Sequence, residues 1–172
     1  AVNLLGKDPD MIFNAGCGIV NGVLHGVFLD TSLAVYGIIK AYHLQFDPET
    51  WERVAPSKEV QLHLAAFETA QDPTTGEVYG EFYDAQLQQR EFGVIDFEKE
   101  TRTTFGKTDK SYVALGLSTD GFLYGIASDG YLYKIDKTNG KEMQIGSTGV
   151  TLLDEDGSYS GQSGEIDAKT NT

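Results

Sequence analysis

The chain has 172 residues, 40% of them hydrophobic and including 9 Phe and 9 Tyr, and its 26 acidic against 13 basic residues give a formal charge of −13. That apolar content can build a core, which excludes a disordered acidic tail, and the charge excludes phosphate-driven nucleic-acid binding and opposes docking on an anionic membrane. No run reaches the roughly 18 uninterrupted apolar residues of a membrane span, since the richest stretch, Ile19 to Ala41, is broken by Asn21, His25, Asp30 and glycines.

The first predicted unit, Met11 to Val54, opens with small residues at Asn14 to Ile19 and continues into Gly22-Val23-Leu24-His25-Gly26. It then reaches Phe46-Asp47-Pro48-Glu49-Thr50, an apolar residue followed by turn formers, and ends in a short run from Trp51 to Val54. The second unit, His63 to Thr108, repeats this order with Leu64 to Phe67, Gly76-Glu77-Val78-Tyr79-Gly80, Ile95-Asp96-Phe97-Glu98-Lys99 and Thr101 to Phe105. The third, Ser111 to Val150, does so again with Val113 to Leu117, Gly121-Phe122-Leu123-Tyr124-Gly125, Ile135 to Gly140 and Lys141 to Ile145. The leading glycines recur after about 54 and then about 45 residues, the spacing of units built from roughly four strands.

Each unit reads as a four-stranded up-and-down meander. Small residues suit an inner strand crowded toward an axis, and Asp47, Asp96 and Asp136 can each close a hairpin by accepting hydrogen bonds from backbone N–H groups ahead of them. The third unit gives the clearest signal, two β-rich runs around Ser128-Asp129-Gly130. Between Thr50 and Gln71 a helical pattern would have to cross Pro56. The tail, Ser158 to Thr172, resembles the opening of a further unit, with Asp167 to Asn171 standing where Asp72 to Gly76 stood. The expectation is an all-β fold: three blades, 11–54, 63–108 and 111–150, and the first strand of a fourth in 158–172.

On these residues the sequence resembles a β-propeller, and specifically the divergent repeats of secreted or periplasmic Bacteroidetes propeller proteins, which implies an adhesion role. The match rests on Asp72, Thr75, Gly76, Val78, Tyr79 and Gly80, with Gly121, Leu123, Tyr124 and Gly125. The resemblance implies the fold and a place in the envelope or outside the cell. WD-repeat and kelch signatures are absent.

Candidate chemistry is sparse. His25 takes the slot of Tyr79 and Tyr124 and is expected to pack, while His43 and His63 have no partner at zinc-like spacing. Lone Cys17 excludes an internal disulfide framework and a Cys-rich zinc site, and is expected to be buried as a small hydrophobe. Trp51 is expected to pack. Asp154 to Ser158 has the acids of a calcium loop, with Glu165 at the twelfth position, but its Gly157 comes too early, so it reads as a solvated loop. Neither Ser163 nor Cys17 has a recognisable base partner. No catalytic, cofactor or metal residues are therefore assigned, and no cofactor is implied.

The functional expectation is a non-catalytic binding or adhesion scaffold that recognises a protein or glycan through loops at one face. The alternative is a carbohydrate-active propeller enzyme, a hydrolase or lyase, with carboxylates at the channel mouth; two facing acids with a Tyr or Arg in one pocket would mark it. A closed ring has four to eight blades, so about three blades read as part of a longer propeller or as a unit completed by self-association at open sheet edges.

Overall fold

The computed structural model describes residues 13–152, 164–167 and 170. It is all-β, with twelve strands in three four-stranded antiparallel sheets, each a simple meander in chain order. The first sheet holds β1 (Phe13–Val20), β2 (Val23–Asp30), β3 (Lys40–Phe46) and β4 (Lys58–Val60). The second holds β5 (Ala66–Gln71), β6 (Val78–Asp84), β7 (Gln89–Asp96) and β8 (Thr101–Thr108). The third holds β9 (Tyr112–Leu117), β10 (Leu123–Ala127), β11 (Tyr131–Ile135) and β12 (Glu142–Ser147). The opening strand β5 lies against both β1 and β9, so the sheets succeed each other around a common axis as propeller blades.

The turns form for the reason their aspartates suggest. Asp47 Oδ1 accepts hydrogen bonds from the backbone N–H groups of Glu49 and Thr50 at 2.8 and 3.0 Å. Asp136 accepts one from Thr138 N at 2.8 Å, and Asp96 one from Lys99 N at 2.9 Å. Asp72 does the same for Thr74 and Thr75 in the hairpin that leads into β6.

Successive side chains on a strand face opposite sides, and the repeat uses both. Val78 packs in the layer between the first and second sheets with Val27, Phe82 and Ile95, whereas Tyr79 packs between the second and third with Phe92, Leu115 and Leu123. His25 follows the same rule and faces the second sheet, where it stacks on Phe97. Each fully buried Phe or Leu in these layers contributes roughly 1.5–3 kcal/mol by leaving water.

Crowding near the axis explains the small residues there. A Cβ on Gly18 would collide with the Val78 side chain, and one on Gly116 would lie 2.7 Å from Ile166 Cγ1. The described part of the tail, Gly164 to Asp167, thus packs on β9; most of the predicted fourth-blade opening, 158–172, lies outside the described residues, as does the Asp154–Ser158 loop.

The fourth strand of the first sheet differs from the expected Trp51 to Val54. Trp51 has a left-handed φ of 62° and its N–H bonds Asp47 O at 2.8 Å, so the chain is still turning there. Only Arg53 makes an isolated bridge, to Phe46, and Pro56 lacks the N–H a ladder needs. Pairing resumes at Lys58, where His43 opposes it.

Candidate functional site

Three features could carry function: a cleft at the axis, a buried imidazole pair between the first two blades, and an apolar loop at one rim.

The axial cleft, about 550 Å³, lies between β1, β5 and the Gly164–Glu165 segment. Its walls are tied together by side chains of β5 that take the place of a strand ladder. Thr69 Oγ1 accepts from Cys17 N at 3.3 Å and donates to Cys17 O at 3.2 Å; Gln71 Oε1 accepts from Ile19 N at 2.8 Å, and its Nε2 donates to Ile19 O. Cys17 is half-buried and lines this cleft, not the apolar interior expected for it, because the inner strands enclose a channel instead of a filled core.

Glu68 and Glu165 both line the cleft. Burial, reinforced by Glu81 and Glu165, pushes the Glu68 carboxyl up to about 7, and loss of water also raises Glu165. Glu68 can therefore donate or accept a hydrogen bond near neutrality. Behind it, Glu81 is fully buried and accepts from Arg90 Nη1 at 2.5 Å; burial outweighs that pairing and lifts Glu81 to about 6. The Arg90 guanidinium also lies 4.5 Å from the centre of the Phe67 ring. Among the described residues, this cleft lining has the two acids but neither a Tyr nor an Arg, whereas a groove on the third sheet is lined by Asp120 and Glu165 together with Tyr124.

The structure joins two histidines that sequence spacing left apart. His25 Nδ1 and His43 Nε2 are 2.9 Å apart, both rings stack on Phe97, and both residues are buried. They meet because β2 and β3 pair with Val27 opposite His43, which makes His25 a diagonal neighbour. His63 remains apart, in a short 3-10 turn.

Sequence reasoning also passed over the β2–β3 connection. Ala34 to Tyr36 form a 3-10 turn closed by Ala34 N to Thr31 O and Gly37 N to Ala34 O, each 2.9 Å, and Asp30 Oδ1 anchors Ser32 N. On this scaffold Val35 is 86% and Tyr36 77% exposed, with Leu33, Ile38 and Ile39 also open to solvent. The signal was present as a non-alternating apolar run in a connection far longer than the hairpin turn at Ser128-Asp129-Gly130. Trp51, expected to pack, is exposed. In a meander it sits at the opposite end of the sheet from the β2–β3 loop.

No family description matches the chain, and no curated protein matches it. A similar solved structure is the β-propeller domain of the Trilobed protease from Pyrococcus furiosus, described as having an open velcro topology. The two are 10% identical, with a TM-score of 0.49, over 79% of this chain and 44% of that one. The chain thus spans less than half the length of that neighbour.

Proposed function

We propose that the chain is a non-catalytic binding or adhesion scaffold of the cell envelope or exterior that takes a protein partner on its β2–β3 loop. The observation that carries this reading is the exposure of Val35 and Tyr36 beside Leu33, Ile38 and Ile39. Contiguous exposed apolar groups on a folded chain mark interaction surfaces, and the tight 3-10 turn fixes them before binding, which lowers the ordering cost. Leu33, Val35, Ile38 and Ile39 have no hydrogen-bonding group in their side chains, which fits a protein surface better than a glycan. The envelope location is carried over from the repeat resemblance.

A second reading is a carbohydrate-active enzyme, favoured by the raised carboxyls of Glu68 and Glu165 in one cleft. One experiment separates them. Wild type, a Val35→Asp/Tyr36→Ser variant and a Trp51→Ala control are applied to arrays of extracellular proteins and of glycans, with product release from the glycans followed in parallel. The scaffold reading expects protein binding that the loop variant loses and the control keeps. Glycan turnover that Glu68→Gln abolishes, or protein binding indifferent to the loop, would sink it.

A further inference from the structure

The imidazole pair sits in a chain of contacts that crosses from the first blade to the second. His43 Nδ1 is 3.2 Å from Glu100 Oε1, and Lys58 Nζ is 2.5 Å from Glu100 Oε2. Beside it, Asn21 Nδ2 donates to Glu98 Oε1 at 2.8 Å. Phe97, Glu98 and Glu100 belong to the turn between β7 and β8, so every contact but that of His25 with His43 is between blades. Glu100 holds a left-handed φ of 54°, the conformation that aims this turn at the histidines.

The protons in this chain can be placed. Burial works to raise Glu100, but its bonds from Lys58 and His43 outweigh that and hold it below the usual carboxylate range, so it is ionised and only accepts. His43 must then carry its proton on Nδ1, facing Glu100. In a neutral ring that leaves Nε2 as an acceptor, and His25 must donate to it from Nδ1. Both rings are thereby fixed in the Nδ1–H tautomer, the less common form in free imidazole side chains. His25 Nε2 is left without a partner among the described residues.

Such a chain tolerates one proton and fails at two. The first can be taken with both hydrogen bonds kept, and the charge it brings has Glu98 and Glu100 nearby. The second puts a hydrogen on both His25 Nδ1 and His43 Nε2, the two atoms that share one hydrogen bond. Two donors and two positive charges would then meet at 2.9 Å among buried rings. Lys58 adds to the repulsion from β4, while Glu98 and Glu100 face the pair from the β7–β8 turn.

We propose that His25, His43 and Glu100 form an acid-released latch between the first and second blades, closed while the pair is neutral or singly protonated and opened by the second proton. Opening frees the β2–β3 hairpin from Phe97 without unfolding the third blade, whose contacts with the second involve none of these groups. Burial, and then the neighbouring His43, depress His25. The folded latch therefore binds protons less readily than the unfolded chain, and stability is lost as pH falls below the ordinary value of about 6.5.

The test has two parts on the intact chain. Nitrogen-15 spectra of the imidazoles at neutral pH should show both His25 and His43 protonated on Nδ1 only; an Nε2–H tautomer at either would overturn the proton assignment and the latch with it. Amide hydrogen exchange is then followed from about pH 7.5 to about pH 4.5, corrected for intrinsic rates. Protection in β2 and β3 should fall about tenfold more than in β10 and β11. His25→Phe keeps a ring against Phe97 and removes one of the two proton sites. Its exchange in β2 and β3 should fall no more than in β10 and β11. An equal fall in all sheets of the wild type, or a β2–β3 loss unchanged in His25→Phe, would overturn the proposal.

Discussion

Glu68 shows how a single side chain can be shaped by an axis it did not choose. It is half-buried in a cleft it shares with Glu165, and its carboxyl is held at about 7 by burial, then by Glu81 and Glu165. A raised carboxyl binds its proton more tightly in the folded state, so the stability it permits is complete below its ordinary value near 4.5 and declines as pH rises through 7. Glu68→Gln removes the cost. The variant should match wild type in denaturant unfolding at about pH 4, and exceed it by about 1–2 kcal/mol at about pH 8, less than the full shift implies because solvent screens a half-buried group. Equal midpoints at the higher pH would mean that the cleft is wetter than its walls suggest. None of this was legible in the sequence, where Glu68 is one acid among 26. Its neighbours are Glu81, directly opposite it in the β5–β6 ladder, and Glu165, nearly a hundred positions away, so strand register and the packing of the tail on the inner strands bring them together.

At the scale of elements, the repeat was legible because each landmark has a local cause. Asp47, Asp96 and Asp136 close turns with their own backbone; the aliphatic–aromatic pairs Val78-Tyr79 and Leu123-Tyr124 send one side chain to each face of a strand. What stayed hidden depends on register and loop length. The pairing of His25 with His43 needs the β2–β3 alignment, and the displacement of β4 to Lys58 follows from a turn that runs on through Trp51. Gly106 shows a constraint between elements that the repeat pattern does not encode. A Cβ there would lie 2.5 Å from Gly140 Cα and 2.8 Å from Asn139 O, main-chain atoms of the β11–β12 turn that cannot rotate away. Gly106→Ala should therefore cost about 1–3 kcal/mol by prying the second and third blades apart. Gly146→Ala is the control, since a Cβ there meets nothing within 4 Å. Thermal unfolding of the two variants decides the matter, and equal losses would show that the second and third blades do not depend on this approach.

At the scale of the molecule, the third sheet presents a face that the described residues leave mostly open. Ala114 and Gly116 on β9 are met by Gly164 and Ile166. Farther out, Tyr124, Ile126 and Leu132 border a groove of about 410 Å³, and Met143 on the edge strand is 56% exposed. The same alternation that fills the layer between the second and third sheets continues onto this face, so it is built to carry another sheet. We propose that a second copy supplies it, since the β12 edge, unpaired among the described residues, adds main-chain donors and acceptors beside it. The opposing term is the charge of −13 on each copy. Repulsion of that kind acts over roughly a Debye length, about 10 Å at 0.1 M salt and about 3 Å at 1 M, whereas apolar burial is not screened. Association should therefore strengthen with salt, the reverse of what a salt-bridged interface would do. Light scattering across protein concentration should give a mass that rises toward the dimer in 1 M salt, about twice 18.8 kDa. Ile126→Glu with Leu132→Glu should hold it at the monomer value in every buffer. A wild-type mass that never leaves the monomer value, at any salt, would show that two acidic copies cannot share this face.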